Sequence, residues 1–160
     1  MESTYKNEEE NLLLNIIEEN SENNYNFLVL TTFEFSLTFF EDYLIKSLPK
    51  DTFLLIDAKK YNRKLNETQP SKKFLTFFQN KIIPINFQKG VFHPKLILFC
   101  GDNKFCSYIS SANLTKRGYT RNIELVSKFQ DEILAFEILE YIKKILENCK
   151  GSAKKLLEDK

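Results

Sequence analysis

Residues 26–57 carry the pattern that most restricts the fold of this chain. Residues 26–32 form an apolar, partly β-branched run that is typical of a buried strand. Residues 35–48 then repeat apolar side chains at helical spacing until Pro49, and residues 52–57 form a second strand-like run. A strand, a helix and a strand in succession predict a βαβ unit, whose two strands are parallel neighbours in one sheet.

The same patterns extend along the rest of the chain. Helices are predicted over residues 8–20, 72–78 and 131–148. Asp131 is the expected N-cap of the last one. Strands are predicted over residues 81–86, 92–99, 105–110 and 122–129. Residues 101–104 indicate a hairpin loop, and Pro84 indicates an edge strand or a bulge. Residues 59–71 are polar and lysine-rich, and residues 69–71 at their end mark a loop.

Length and composition limit the class of protein. With 160 residues the chain is most simply one domain that can bury a substantial core, although it could also be a domain of a longer protein. Its 42% hydrophobic and 28% charged residues are typical of a soluble globular protein. There is no apolar run of about 18 residues, and the first ten residues are acidic, so we expect neither a membrane span nor a signal peptide and predict a cytoplasmic location.

The cysteine and histidine content argues against a metal site. The three cysteines, Cys100, Cys106 and Cys149, are an odd number without a Cys-x-x-Cys spacing, which favours reduced thiols. The single histidine makes a zinc site unexpected. The sequence therefore predicts no metal and no cofactor.

Charge is distributed unevenly although the net charge is only +1. Residues 1–25 carry seven glutamates against one lysine, whereas residues 58–95 carry nine basic residues against Glu67 alone. Two interpretations remain open for the basic segment. It is either an ordinary solvated surface or an electrostatic track for a polyanion.

Two short segments carry side chains suited to attack on a phosphodiester. His93 and Lys95 are two residues apart in a predicted strand and should therefore face the same side. A neutral imidazole is a nucleophile, and a fixed ammonium can neutralise the non-bridging phosphate oxygens. Ser111 and Asn113 supply a hydroxyl and a carboxamide, and Glu124 supplies a carboxylate able to hold an imidazole in one tautomer. Taken singly, each of these residues could equally be structural.

The segments His93-Pro94-Lys95 and Ser111-Ala112-Asn113-Leu114-Thr115 together resemble the signature of the phospholipase D superfamily. That signature has His-x-Lys, an Asp after four further residues, and then a Gly-Ser pair followed by an Asn. Cys100 stands at the place of the Asp, and Ser110 replaces the Gly. Because Cys100 is an odd number of residues from His93, it should face away from the reactive side chains and affect strand support more than chemistry.

The resemblance implies both a fold and a set of roles. The implied fold belongs to the α/β class. It is an α-β-α sandwich whose central sheet is mixed but largely parallel. In the implied mechanism His93 forms a phosphohistidine intermediate, Lys95, Asn113 and Ser111 hold the phosphate, and Glu124 orients the imidazole. A second histidine must protonate the leaving group, and this chain has only one. We therefore predict a homodimer in which two copies of His93 meet at a two-fold interface.

The predicted function is a metal-independent phosphodiesterase acting on nucleic acid, similar to the single-motif nucleases and restriction-type endonucleases of this superfamily. The basic segment favours a nucleic-acid backbone, with DNA the expected substrate. Phosphate contacts are predicted for four cations, Lys89, Lys116, Arg117 and Arg121. Two alternatives remain. One is a phospholipase or phosphatidyl transferase. The other is an inactive nucleic-acid-binding module, which the absence of the signature Asp and Gly suggests. A further domain or subunit could supply targeting.

Overall fold

The computed structural model describes residues 11–148. Its helices are α1 (Leu12–Ser21), α2 (Leu37–Phe39, continued by a π-helical turn, Phe40–Leu44), α3 (Ala58–Glu67), α4 (Lys72–Phe77), α5 (Lys116–Thr120) and α6 (Glu132–Asn148). Its strands are β1 (Phe27–Thr32), β2 (Thr52–Asp57), β3 (Ile82–Ile85), β4 (Leu96–Gly101), β5 (Lys104–Ser110) and β6 (Val126–Phe129). The predicted start of the first helix at residue 8 and the position of Cys149 lie outside the described residues.

The strands form one six-stranded mixed sheet in the order β3-β2-β1-β4-β5-β6. The pairs β1–β2 and β2–β3 are parallel, which confirms the βαβ unit. The pairs β1–β4, β4–β5 and β5–β6 are antiparallel. The predicted mixed α/β architecture is confirmed, but parallel pairs are fewer than expected because the β4–β5 hairpin joins β1 in antiparallel orientation. The predicted edge position of Pro84 is also confirmed, since β3 is an edge strand.

Helices cover both faces of the sheet, as the α-β-α arrangement requires. Side chains from α1, α2 and α4 form one core cluster, and α6 packs into a second cluster on the opposite face. Alternation along β4 divides its residues between them: Ile97 and Phe99 belong to the first cluster, and Leu98 and Cys100 to the second. Cys100 is therefore a buried support residue against the α6 layer, as the alternation predicted.

Most of the polar segment 59–71 is helix α3, which the sequence did not predict, and the loop predicted at residues 69–71 follows this helix. Its N-cap is Asp57, whose carboxylate accepts hydrogen bonds from the backbone N–H groups of Lys59 and Lys60, both at 3.1 Å. Residues 58–67 contain neither glycine nor proline, and Arg63 pairs with Glu67 one turn later at 3.5 Å. The high charge of the segment reflects a helix with a solvated face.

Two predicted strands are shorter than expected. The strand predicted over residues 92–99 begins only at Leu96, since Pro94 has no N–H group for a ladder bond. The strand predicted over residues 122–129 begins only at Val126. Helix α5, which the sequence did not predict, precedes this strand, and Thr115 caps it by accepting a hydrogen bond from the Gly118 N–H at 3.1 Å.

The helix predicted over residues 35–48 is also shorter. It begins at Leu37 behind the N-cap Ser36 and changes to π-type hydrogen bonding, in which the Ile45 N–H bonds to the Phe40 carbonyl at 2.9 Å. By contrast, α6 begins as predicted, because Asp131 accepts hydrogen bonds from the N–H groups of Ile133 and Leu134. None of the helices between residues 11 and 148 is long and apolar enough to cross a membrane.

Candidate active site

The two segments of the signature meet where several strands of the sheet end, and we call this end of the sheet the site edge. Strands β1 and β2 end at this edge, and the antiparallel strand β4 begins there, with Leu96 opposite Thr31. Strand β5 also ends there, with Ile109 opposite Leu96. Residues 93–95, which precede β4, and residues 111–113, which follow β5, are therefore neighbours in space although the strands of a hairpin separate them in the chain.

His93 and Lys95 are in direct contact. The Lys95 Nζ atom lies 2.9 Å from Nδ1 and 3.3 Å from Nε2 of His93, and it donates a hydrogen bond to the His93 carbonyl oxygen at 3.1 Å. Burial lowers the pKa of Lys95 from its ordinary value, and the negative charge of Glu124 opposes this effect. The sequence predicted that the two side chains lie on the same side of a strand. In the structure they are neighbours, but they precede the strand, and the contact forms because the lysine side chain folds back over the imidazole ring.

The backbone on both sides of this pair is anchored. The buried carboxylate of Asp57 accepts a hydrogen bond from the Phe92 N–H at 3.0 Å while it also caps α3. Downstream, the Lys95 carbonyl accepts a hydrogen bond from the Ser110 N–H at 2.9 Å. Both bonds have ordinary lengths and one involves a charged acceptor, so they restrict where the imidazole and the ammonium can lie.

Phe33 forms one wall beside the imidazole. Its ring centroid lies 4.7 Å from that of His93, with 46° between the ring planes. The Lys60 ammonium lies 4.4 Å from the centroid of the same phenyl ring. The candidate nucleophile and a cation of helix α3 therefore share one aromatic neighbour. The sequence did not predict a role for Phe33, which lies just beyond the end of β1.

The Asn113 turn is held by the chain that follows β1. The Leu114 N–H bonds to the Thr32 hydroxyl at 3.1 Å, and the Ser36 N–H bonds to the Leu114 carbonyl at 3.0 Å. The Asn113 Oδ1 atom accepts a hydrogen bond from the Glu34 N–H at 3.2 Å. Because its amide oxygen is engaged in this way, Asn113 can present its Nδ2 donors to a bound anion.

Glu124 has its hydrogen bonds with residues other than His93. The Ser111 hydroxyl donates to one carboxylate oxygen of Glu124, and Asn122 Nδ2 donates to the other at 3.1 Å. The Ser111 oxygen also accepts a hydrogen bond from the Leu125 N–H at 3.0 Å. In the described part of the chain, Glu124 thus fixes the Ser111 turn, and its orienting effect on His93 stays a prediction.

The two departures from the signature lie in supporting positions. The Ser110 hydroxyl accepts a hydrogen bond from the Ala112 N–H at 2.9 Å, so it stabilises the turn that carries Ser111. Burial raises the pKa of the neighbouring Tyr119 to about 12, although a hydrogen bond with Ser110 opposes the rise. Cys100 is 1% exposed and packs on the α6 side of the sheet. Both substitutions are therefore compatible with an intact reactive face.

The predicted phosphate-binding cations surround this edge at the surface. Arg117, Arg121 and Lys89 are exposed, while Lys116 is half-buried, with its ammonium 5.5 Å from the ring centroid of Tyr43. Helix α5, which carries Lys116 and Arg117, lies directly against the Asn113 turn. A Cβ atom added at Gly118 would lie 2.4 Å from the Asn113 carbonyl oxygen, so only glycine permits this approach.

A second cationic group lies beside the turn, and its residues belong to the basic segment 58–95. A pocket of about 170 Å³ is lined by Lys60, Arg63 and Lys64 of α3, together with Glu34 and Thr115. Because no helix was predicted over residues 59–68, the sequence did not indicate that these three cations share a helix face. The acid at residue 57, followed by ten residues without glycine or proline, was the signal that could have revealed it.

An apolar pair is exposed at the same edge. Ile123 is 105% and Leu125 73% exposed, and they flank Glu124 in the segment between α5 and β6. Over the described residues, no three histidine, cysteine, aspartate or glutamate side chains lie close enough to share a metal ion.

Comparison with known proteins agrees with the fold and with the family that the sequence resembles. The family model described as cardiolipin synthase, PLD-like domain, matches residues 43–149. No curated protein matches the sequence significantly.

Several solved structures are similar. NucT from Helicobacter pylori has 15% identity and a TM-score of 0.57 over 88% of this chain and 90% of its own. The phospholipase D family member Nuc from Salmonella typhimurium has 17% identity and a TM-score of 0.59 over 84% of this chain and 87% of its own. A mutant of yeast tyrosyl-DNA phosphodiesterase has 14% identity and a TM-score of 0.53 over 84% of this chain and 33% of its own. At these identities the similarity shows a common fold.

Proposed function

Because the chain belongs to the phospholipase D superfamily, we propose that it is a phosphodiesterase that hydrolyses nucleic acid, with DNA as the substrate, through a phosphohistidine intermediate. The observation that carries this proposal is the contact of the Lys95 ammonium with the His93 imidazole beside the Asn113 turn. These groups are a nucleophile, a cation and a neutral donor, which together suit a phosphodiester. The similarity to a tyrosyl-DNA phosphodiesterase supports the same substrate class.

The proposed reaction has two steps. An imidazole nitrogen of His93 attacks phosphorus and forms a P–N bond, while the P–O bond to the leaving alcohol breaks. The leaving oxygen takes a proton from a second imidazole. That imidazole then removes a proton from water, whose oxygen attacks phosphorus, and the P–N bond breaks to regenerate His93. Lys95 and the Asn113 Nδ2 group neutralise and hold the non-bridging oxygens, so no step requires a metal ion.

A second imidazole implies a second copy of the chain, because His93 is the only histidine. We place the two-fold contact at the exposed pair Ile123 and Leu125, which flanks Glu124 at the edge that carries His93. An isologous interface brings both copies of one surface together, so a contact near the site would also bring the two imidazoles toward each other. Exposed apolar side chains at that position are consistent with such a contact.

Cleavage in EDTA tests the proposal. Wild type should cut plasmid and single-stranded DNA in EDTA, and His93→Ala should not. Lys143→Gln on α6, a matched surface variant, should cleave at the wild-type rate. A covalent protein–DNA adduct, stable in alkali and labile in acid, should be trapped on wild type only. Strict dependence on added divalent metal, or equal activity of His93→Ala, would reject the mechanism.

A further inference from the structure

The pocket beside the Asn113 turn has the charge of an anion site. Three cationic side chains and one carboxylate line it, so its walls carry an excess of positive charge. Glu34 pairs with Lys60 and also with Arg63, whose Nη2 atom lies 3.1 Å from Glu34 Oε1. The hydrogen bond from Lys60 lowers the pKa of Glu34, so this carboxylate is charged at neutral pH.

The pocket lies next to the Asn113 turn of the candidate active site. The Glu34 backbone N–H bonds to the Asn113 side chain, and Thr115, two residues after Asn113, is part of the pocket wall. The Lys60 ammonium and the His93 imidazole also contact the same aromatic ring, that of Phe33. Successive phosphates along one nucleic-acid strand are spaced by about 3.4 Å of helical rise. A strand whose scissile phosphate lies at His93 and that runs toward helix α3 would bring a neighbouring phosphate to this pocket.

We propose that this pocket, formed by Lys60, Arg63 and Lys64, is a second phosphate-binding subsite for a nucleic-acid strand, and that Glu34 occupies it when no substrate is bound. The inference rests on the proposed nucleic-acid function and deepens it. A substrate with one phosphodiester group would use only the His93 site. A polynucleotide would use both the His93 site and the pocket, so the pocket would favour substrates with several phosphates.

The exposure of the ion pairs makes the exchange feasible. The side chains of Glu34 and Arg63 are 38% and 57% exposed, so a ligand can reach them from solvent. Exposed ion pairs contribute little to stability, and a phosphate can form bidentate bonds with a guanidinium. Glu34 therefore acts as an internal competitor: it keeps the cations in place without substrate, and phosphate displaces its carboxylate when a strand binds.

The test measures binding separately from cleavage. All variants carry His93→Ala so that the probe, a fluorescein-labelled oligothymidylate, stays intact, and affinity is followed by anisotropy from low to moderate salt. Arg63→Gln should weaken binding several-fold and reduce the slope of log affinity against log salt by about 0.7, the value for one phosphate contact on a single strand. Arg63→Lys should retain most of the slope. Lys143→Gln, which removes one charge on the opposite face, should leave the slope unchanged.

Glu34→Gln gives the opposite expectation. Removal of the competing carboxylate should tighten binding several-fold and make the salt dependence steeper. If the parent binds the probe but Arg63→Gln has the slope of Lys143→Gln, or if Glu34→Gln weakens binding, the subsite is wrong while the nucleic-acid function stands. If the parent binds no oligonucleotide at any salt concentration, both inferences fail. Circular dichroism melting of each variant shows that the comparison concerns folded protein.

Discussion

Asp57 holds the backbone immediately before the candidate nucleophile, because its buried carboxylate accepts the N–H of Phe92 at 3.0 Å. The other carboxylate oxygen accepts the first N–H groups of α3. One side chain, 4% exposed, thereby joins the end of β2, the helix that carries Lys60 and Arg63, and the residue that precedes His93.

Asp57→Asn should disturb both stability and cleavage. Whichever way the amide is oriented, its NH2 group faces at least one backbone N–H, and a buried unsatisfied donor costs about 1–3 kcal/mol. We expect a loss of that size in the free energy of unfolding, measured in urea, together with slower cleavage. Asp131→Asn is the control, because an exposed Asn still caps α6 well. Equal losses for the two variants would contradict the role of Asp57.

Glu34 should contribute pH-dependent stability. Lys60 lowers its pKa in the folded chain below the ordinary value of 4.5, so folding favours the charged form. Its contribution is therefore present above about pH 4.5 and is lost as the pH falls through the folded pKa. Because the group is partly exposed, we expect only about 0.5 kcal/mol between wild type and Glu34→Gln at pH 7.

Urea unfolding at pH 7 and at decreasing pH measures this difference. It should shrink as the pH falls below 4.5. Glu137→Gln, at an exposed position of α6, is the reference variant. A difference that grows toward acid pH would show that the sign is wrong.

Gly118→Ala should damage the Asn113 turn selectively. The new Cβ would lie 2.4 Å from the Asn113 carbonyl oxygen, so the turn or α5 must move. Overpacking of this kind typically costs about 1–3 kcal/mol, and displacement of Asn113 should also reduce kcat. Gly101→Ala is the matched control, since its tightest contact is with the flexible Lys104 side chain at 3.2 Å, away from the site edge. Cleavage assays and thermal melts of both variants give the comparison.

Cys100→Ala tests whether Cys100 only stabilises the fold or also takes part in the reaction. The thiol is buried in the α6-side cluster, so its removal should cost about 1 kcal/mol of stability. Because this face of β4 is opposite to the reactive one, kcat should stay close to the wild-type value. A large loss of kcat in a variant that melts normally would show that the residue in place of the signature Asp acts on the reaction.

Disruption of the exposed apolar pair tests the proposed dimer. Ile123→Lys combined with Leu125→Lys should shift the protein from dimer to monomer in light scattering and abolish DNA cleavage, since the second imidazole is then lost. Ile133→Lys is the control, because Ile133 is similarly exposed, at 74%, but lies on α6. A wild-type protein that is monomeric at micromolar concentration and still cleaves DNA would overturn the dimer.

Local patterns were sufficient for much of the fold. The βαβ unit, the two-residue connection from Gly101 to Lys104 and the Asp131 cap each depend on residues close together in the chain. Helix α3 was missed because its many charges obscured the Asp57 cap and the absence of helix breakers.

The candidate site was only partly predictable for a different physical reason. His93, Lys95 and Asn113 carry a recognisable spacing, whereas Phe33, Glu34 and Asp57 reach the site only through pairing between distant strands. No local pattern marks a phenylalanine after β1 as the neighbour of an imidazole sixty residues later. The bond from Ser111 to Glu124 likewise depends on where the chain turns after β5.

The central position of β1 has a consequence for biosynthesis. This strand pairs with β2 on one side and with β4 on the other, and the residues that follow it hold both Asn113 and His93 in place. A nascent chain that has emerged only as far as β3 contains neither His93 nor Asn113. The two signature segments can therefore come together only after the ribosome has also supplied β4 and β5, when β1 acquires its second neighbour.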